Sequence, residues 1–182
     1  MRALVVYESM FGNTEKVAAA VARGLQLENV ETGLVEVGSA SAELSPDLDL
    51  LVVGAPTHAF ALSRPGTRAD AVRQGAAAER ARLGLREWLE SVHLESARPP
   101  LLAAFDTRVT KVRWLPKSAG PSAVHLARRR GLESIGKPVG FLVDDLRGPL
   151  VDGELERAAA WGRRLGAEGL ERLAAAGVRG RR

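Results

Sequence analysis

An α/β sandwich on a five-stranded parallel sheet is the fold class this sequence predicts, and three observations predict it. Five short apolar runs alternate with helical segments. The runs are Val- and Leu-rich and nearly continuous instead of alternating, as strands are when both faces of a sheet are covered. A glycine-containing turn leads from the first run straight into an amphipathic helix. Strand, helix, strand repeated in this way implies right-handed crossovers and parallel pairing. Of the two usual doubly wound orders, five strands with such a turn after the first favour 2-1-3-4-5. At 182 residues, with no internal repeat or low-complexity linker, the chain fits a single domain over residues 1–182.

The predicted strands are Ala3 to Glu8, Gly33 to Val37, Leu50 to Ala55, Leu101 to Asp106 and Pro138 to Asp144. The first helix, Glu15 to Leu27, carries Val17, Val21 and Leu25 at i+4 spacing beside Ala18 and Ala22, one apolar stripe. Gly38 to Pro46 is too short for a secure helix. Leu83 to Val92 places Leu85, Trp88, Leu89 and Val92 on one face, and a fourth helix near Pro121 to Arg130 turns Val124, Leu126 and Ala127 inward. The last helix runs from Glu154 to about Ala176, with Asp152 or Gly153 at its N-cap.

Composition narrows the chemistry. Without Cys there is no disulfide, thiolate catalysis or Cys-ligated metal, so redox work requires a cofactor. His58, His93 and His125 are scattered, the last two on helices, which argues against zinc. No apolar run is long enough for a bilayer, and the N-terminus enters a strand instead of a leader, so a soluble cytoplasmic protein is expected. The net charge of +4 rests on 22 Arg against 4 Lys. Basic clusters occur at Arg128 to Arg130 and at Arg179, Arg181 and Arg182, but they are not interleaved with aromatics, and nucleic acid is not an expected partner. Homo-oligomerisation stays open.

In the predicted order, ligands bind outside the carboxyl ends of the first, third and fourth strands. Three loops then matter: Ser9 to Thr14, Pro56 to Arg73 and Thr107 to Gly120. The first, Ser9-Met10-Phe11-Gly12-Asn13-Thr14, opens a helix whose leading N–H groups lack acceptors and carry the positive end of the helix dipole. An anion fits there. Ser9, Asn13 and Thr14 add neutral donors, and Gly12 permits close approach or positive φ. The loop has no Lys or Arg, which suits a terminal monophosphate better than a triphosphate needing Lys and Mg²⁺. The alternative is a turn that merely caps the helix through Asn13 or Thr14. A receiver domain of the same order would need a carboxylate where this chain has Gly54-Ala55-Pro56. Asp144 and Asp145 read as turn residues before Gly148-Pro149.

The segment Val5-Val6-Tyr7-Glu8-Ser9-Met10-Phe11-Gly12-Asn13-Thr14, followed by Val17-Ala18, resembles the FMN phosphate loop of the flavodoxin family. Gly54-Ala55-Pro56-Thr57-His58 is similar to the Gly-x-Pro-Thr stretch of flavodoxin-like quinone reductases. The departure is Phe11, where many members carry a hydroxyl that contacts the phosphate. The resemblance implies a flavodoxin-like three-layer sandwich, with the strand order carried over from the family, and FMN as cofactor. It places the phosphate on Ser9, Met10, Phe11, Gly12, Asn13 and Thr14, and one wall of the flavin pocket on Pro56, Thr57, His58, Ala59 and Phe60. Asp106, Thr107 and Arg108 frame the other wall.

His58 and Phe60 are candidate ring contacts, with a surface His and a core Phe as the alternatives. His58 is also a candidate for proton donation or positive charge beside a reduced flavin. Arg108 near the ring edge would favour two-electron chemistry, and Trp114 is either a stacking residue or a partly buried loop aromatic. Ser63 to Arg73 reads either as a lid whose Arg64, Arg68 and Arg73 meet an anionic partner, or as a solvated charged helix capped by Thr67. The leading expectation is an FMN-dependent oxidoreductase passing electrons from a donor such as NAD(P)H to a quinone or similar acceptor. The alternatives are a flavodoxin-type electron carrier and a fold that has lost FMN and serves as a binding module.

Overall fold

The computed structural model describes residues 1–94, 98–114 and 117–179. Its sheet is parallel and runs β2 (Glu31–Glu36), β1 (Arg2–Tyr7), β3 (Leu50–Pro56), β4 (Leu101–Val109), the order 2-1-3-4. The last place is shared by β5 (Glu133–Ser134), paired with Leu101 and Leu102, and β6 (Val139–Val143), paired with Phe105 to Val109. β6 is the fifth strand of the expected 2-1-3-4-5 order. β5 is an added two-residue pairing too short to leave a periodic signal.

Helices α1 (Asn13–Leu27) and α5 (Glu154–Arg179) cover one face, and α3 (Leu85–Ser91) and α4 (Ala119–Arg129) the other. Successive strand residues point to opposite faces, so Val5 and Val52 pack under α1 and α5 while Val6, Leu51 and Val53 pack under α3 and α4. Both sets are buried, which is why the central strands read as continuous apolar runs. β2 departs from that reading. It is an edge strand with much of its surface exposed, and Leu34 is 43% exposed.

Two close approaches shape the first face. A side chain at Gly24 of α1 would strike the Ala159 backbone, and one at Gly162 of α5 the Val21 backbone, so the two helices cross nearly backbone to backbone. Gly54 similarly makes room for the ring of Phe105, which packs edge-on to Phe141 and Trp161 at centroid distances of 5.9 and 6.0 Å.

Other boundaries move for local reasons. No α-helix follows β2, only a single 3₁₀ turn at Val37–Ser39. Gly153 has φ of 82°, and its carbonyl accepts the Arg157 N–H, which gives it the N-cap place of α5. His93 lies past the end of α3 in a bridge with Glu43, not on a helix. Asp144 and Asp145 do form a turn, with Asp144 N–H donating to the Pro149 carbonyl and Gly148 N–H to that of Asp145. Arg181 and Arg182 lie outside the described residues. Among the described residues no helix is long and apolar enough to cross a membrane.

Candidate functional site

The turn between β1 and α1 is held by its own first residue. Ser9 is buried, and its Oγ accepts from the N–H of Gly12 at 3.1 Å and of Glu15 at 3.2 Å. Gly12 takes φ of 85°, a left-handed conformation that a side chain would strain. Among the described residues the N–H groups of Phe11, Asn13 and Thr14 have no acceptor. These are the groups a bound anion would satisfy. The Thr14 hydroxyl is already engaged with that of Thr107 on β4 at 2.8 Å. Met10 is buried, and both Met10 and Phe11 pack on Ala71 and Ala76. Where a hydroxyl was expected, Phe11 therefore supplies packing and part of the cavity wall.

The segment after β3 makes a tight turn in which the backbones of His58 and Ala61 exchange two hydrogen bonds of 2.9 and 3.0 Å. Ala59 and Phe60 sit in it with φ of 47° and 65°. Phe60 is 46% exposed and is neither core nor part of the cavity lining. Burial pushes the His58 imidazole below its usual 6.5, the Arg68 guanidinium pushes the same way, and a hydrogen bond to the Thr67 backbone pulls back. A positively charged His58 at neutral pH is thus disfavoured, against the sequence expectation.

Ser63 to Arg73 is mostly helix, α2 (Pro65–Arg73). Thr67 is its third residue and not its N-cap: its Oγ1 accepts from the Arg64 N–H and donates to the Arg64 carbonyl, both at 3.0 Å. Arg68 is buried, and its guanidinium donates to Ser63 Oγ, Glu87 Oε2 and the Ala81 carbonyl at 2.9, 3.1 and 3.1 Å. That removes Arg68 from any lid. Arg73 pairs with Asp70. Below them Glu8 is fully buried. Its Oε2 accepts the Leu85 N–H at 2.8 Å, and burial raises its pKa above 4.5.

On the other wall the loop was expected to open at Thr107, but β4 continues to Val109, so Thr107 and Arg108 stand in the strand. Asp106 has no exposed surface and is not in the cavity lining. Its carboxylate accepts from Arg108 Nε at 2.7 Å, a second Arg108 nitrogen at 3.0 Å, Ser118 Oγ at 2.7 Å and Gly120 N–H at 3.0 Å. The charge expected to be free on Arg108 is paired. Trp114 is 77% exposed under Arg113, outside the cavity lining, and is not a partly buried aromatic. Residues 115 and 116 of the expected third loop lie outside the described residues.

These parts surround a half-open cleft of about 220 Å³ at the carboxyl ends of β1, β3 and β4. Of the predicted residues it brings together Ser9, Met10, Phe11, Asn13, Thr14, Pro56, Thr57, His58, Ala59, Thr107 and Arg108, while Gly12, Phe60 and Asp106 do not line it.

No family model matches the chain. Solved structures do. An archaeal flavodoxin superposes with a TM-score of 0.64 at 17% sequence identity, over 93% of this chain and 99% of that one. A short-chain flavodoxin associated with a bacterial microcompartment reaches a TM-score of 0.62 at 20% identity, over 96% and 99%. The chain has the flavodoxin-like fold. A flavodiiron protein from Giardia intestinalis matches at a TM-score of 0.59 and 18% identity, and there this chain, over 93% of its length, spans only 36% of the other.

Within the flavodoxin-like frame, several cleft residues carried no sequence motif. Thr67, Asp70 and Ala71 come from α2, Gln74 from its C-cap, and Leu146 from the turn after β6, which Arg147 straps to the Gln74 carbonyl. Arg80 lies beside the phosphate-loop candidate, donating to the Ser9 carbonyl at 3.1 Å and to Glu15 Oε2 at 2.8 Å. The Asp106–Arg108 pairing did leave a signal, since residues i and i+2 of a strand share a face.

Proposed function

We propose that this chain binds FMN in the cleft and transfers electrons between a donor such as NAD(P)H and a quinone or similar acceptor. The observation that carries the reading is the set of acceptor-free N–H groups on Phe11, Asn13 and Thr14, at the opening of a 15-residue helix that borders the cleft. Three N–H donors, the positive end of a helix dipole and no basic side chain in the loop suit a monophosphate.

The remaining residues fit a flavin in kind. Met10, Ala59 and Leu146 line the cleft with apolar atoms, and Thr57 and Thr107 line it with hydroxyls that would serve polar atoms of the cofactor. When bound, FMN supplies the electron transfer. The protein's part would be to hold it, with His58 in the cleft lining, and to leave one side open. Enclosing pockets for such ligands run from about 300 to 1,000 Å³, so a smaller, half-open cleft leaves part of the ligand in solvent for a partner to reach.

Full-length correspondence with flavodoxins favours a second reading, a carrier that has no small-molecule substrate of its own. A titration of the purified protein with FMN tests both. Micromolar binding with a yellow spectrum is the expected result, and no binding sinks the two together. Sustained NADH or NADPH oxidation with a quinone then supports the enzyme, and its absence the carrier.

A further inference from the structure

Resting on that FMN reading, we infer that Arg80 keeps the phosphate position open by drawing the protein's own competing anion, Glu15, away from it. With Gly12 at the N-cap, Glu15 is the third residue of α1. A glutamate at that place commonly folds back onto the N-cap N–H and closes the helix end on itself. Here it does not. The Gly12 N–H and the Glu15 N–H both go to Ser9 Oγ, and the Glu15 carboxylate is held at 2.8 Å by one nitrogen of Arg80. Another Arg80 nitrogen grips the Ser9 carbonyl at 3.1 Å, so one guanidinium spans the start of the loop and the first turn of the helix.

The placement of Arg80 is built. It belongs to the 3₁₀ turn Ala78–Ala81, and that stretch is anchored where Ala76 and Ala81 pack with Met10 and Phe11. The ion pair itself is poorly suited to a purely structural role. The two side chains are 34% and 40% exposed, and pairs so accessible to water add little stability. Their effect on an anion one turn away is another matter. A released Glu15 carboxylate would repel a phosphate dianion and compete for the N–H groups of Phe11, Asn13 and Thr14.

The test compares FMN with riboflavin, which lacks the phosphate, by fluorescence titration of the full chain. Arg80→Ala is expected to weaken FMN binding about tenfold, on the scale of an anion's interaction with a helix N-terminus, and to leave riboflavin binding unchanged. Adding Glu15→Gln to that variant removes the competitor and is expected to restore FMN affinity to within about twofold. Unchanged FMN binding in Arg80→Ala, equal loss of both flavins, or no rescue by Glu15→Gln overturns the inference. Failure of the unmodified chain to bind FMN overturns the reading beneath it and the inference with it.

Discussion

The two ends of the cleft are built in opposite ways. At the β1–α1 turn, Phe11, Asn13 and Thr14 keep N–H groups without acceptors among the described residues, and Gly12 holds a left-handed conformation between them. At the β4 end the buried carboxylate of Asp106 is spoken for, with Arg108, Ser118 and Gly120 converging on it. Unsatisfied donors are costly to keep unless something binds them, whereas a closed network fixes geometry. The first end therefore has the character of a binding surface and the second that of a frame.

The largest expected effect is at the frame. Asp106→Ala leaves the Arg108 guanidinium without its partner and frees the start of α4, and urea denaturation is expected to show a loss of about 3 kcal/mol. A change below about 1 kcal/mol would mean that the network is no frame. Gly12→Ala acts on the other end. The strain of φ 85° costs about 1–2 kcal/mol, and FMN affinity is expected to fall by more than stability does, the reverse of Asp106→Ala. Thr14→Val cuts the hydroxyl link between the two ends and leaves Thr107 Oγ1 without its partner, a loss of about 1 kcal/mol in the same assay.

Two further expectations concern pH. Glu8 is held above its usual 4.5 chiefly by burial, so the folded chain keeps a proton that the unfolded chain releases. Its contribution is full below 4.5 and is lost as pH rises through the folded value. His58 is held below 6.5, so the folded chain refuses a proton that the unfolded chain accepts, and stability falls as pH drops from 6.5 toward the folded value. Urea midpoints measured across this range should lose the first slope in Glu8→Gln and the second in His58→Gln.

The binding end was more legible in the sequence than the frame. Ser9 to Thr14 could be read because its chemistry is that of backbone and turn, which a short motif specifies locally. The strand order came with the family resemblance that those residues carry, while the two residues of β5 were too few to show. Arg80, Gln74 and Leu146 reach the cleft region through packing of distant segments, and no local pattern announces that. Arg68 looked like a solvated charge because nothing nearby in sequence identifies Ser63, Glu87 and the Ala81 carbonyl as its partners. Arg108 was misread by placing it in a loop: once β4 is extended to Val109, its shared face with Asp106 follows.

The contact between Gly24 and Gly162 bears on a cost that neither end of the cleft reveals. With its backbone seated against that of α5, α1 is packed without an intervening side chain, and the donors at its opening sit on a helix already docked before any ligand arrives. An anion landing there would meet a helix already packed in place. Little of the affinity would then be spent on ordering the protein, and a cleft only half closed over its ligand can nonetheless hold it tightly.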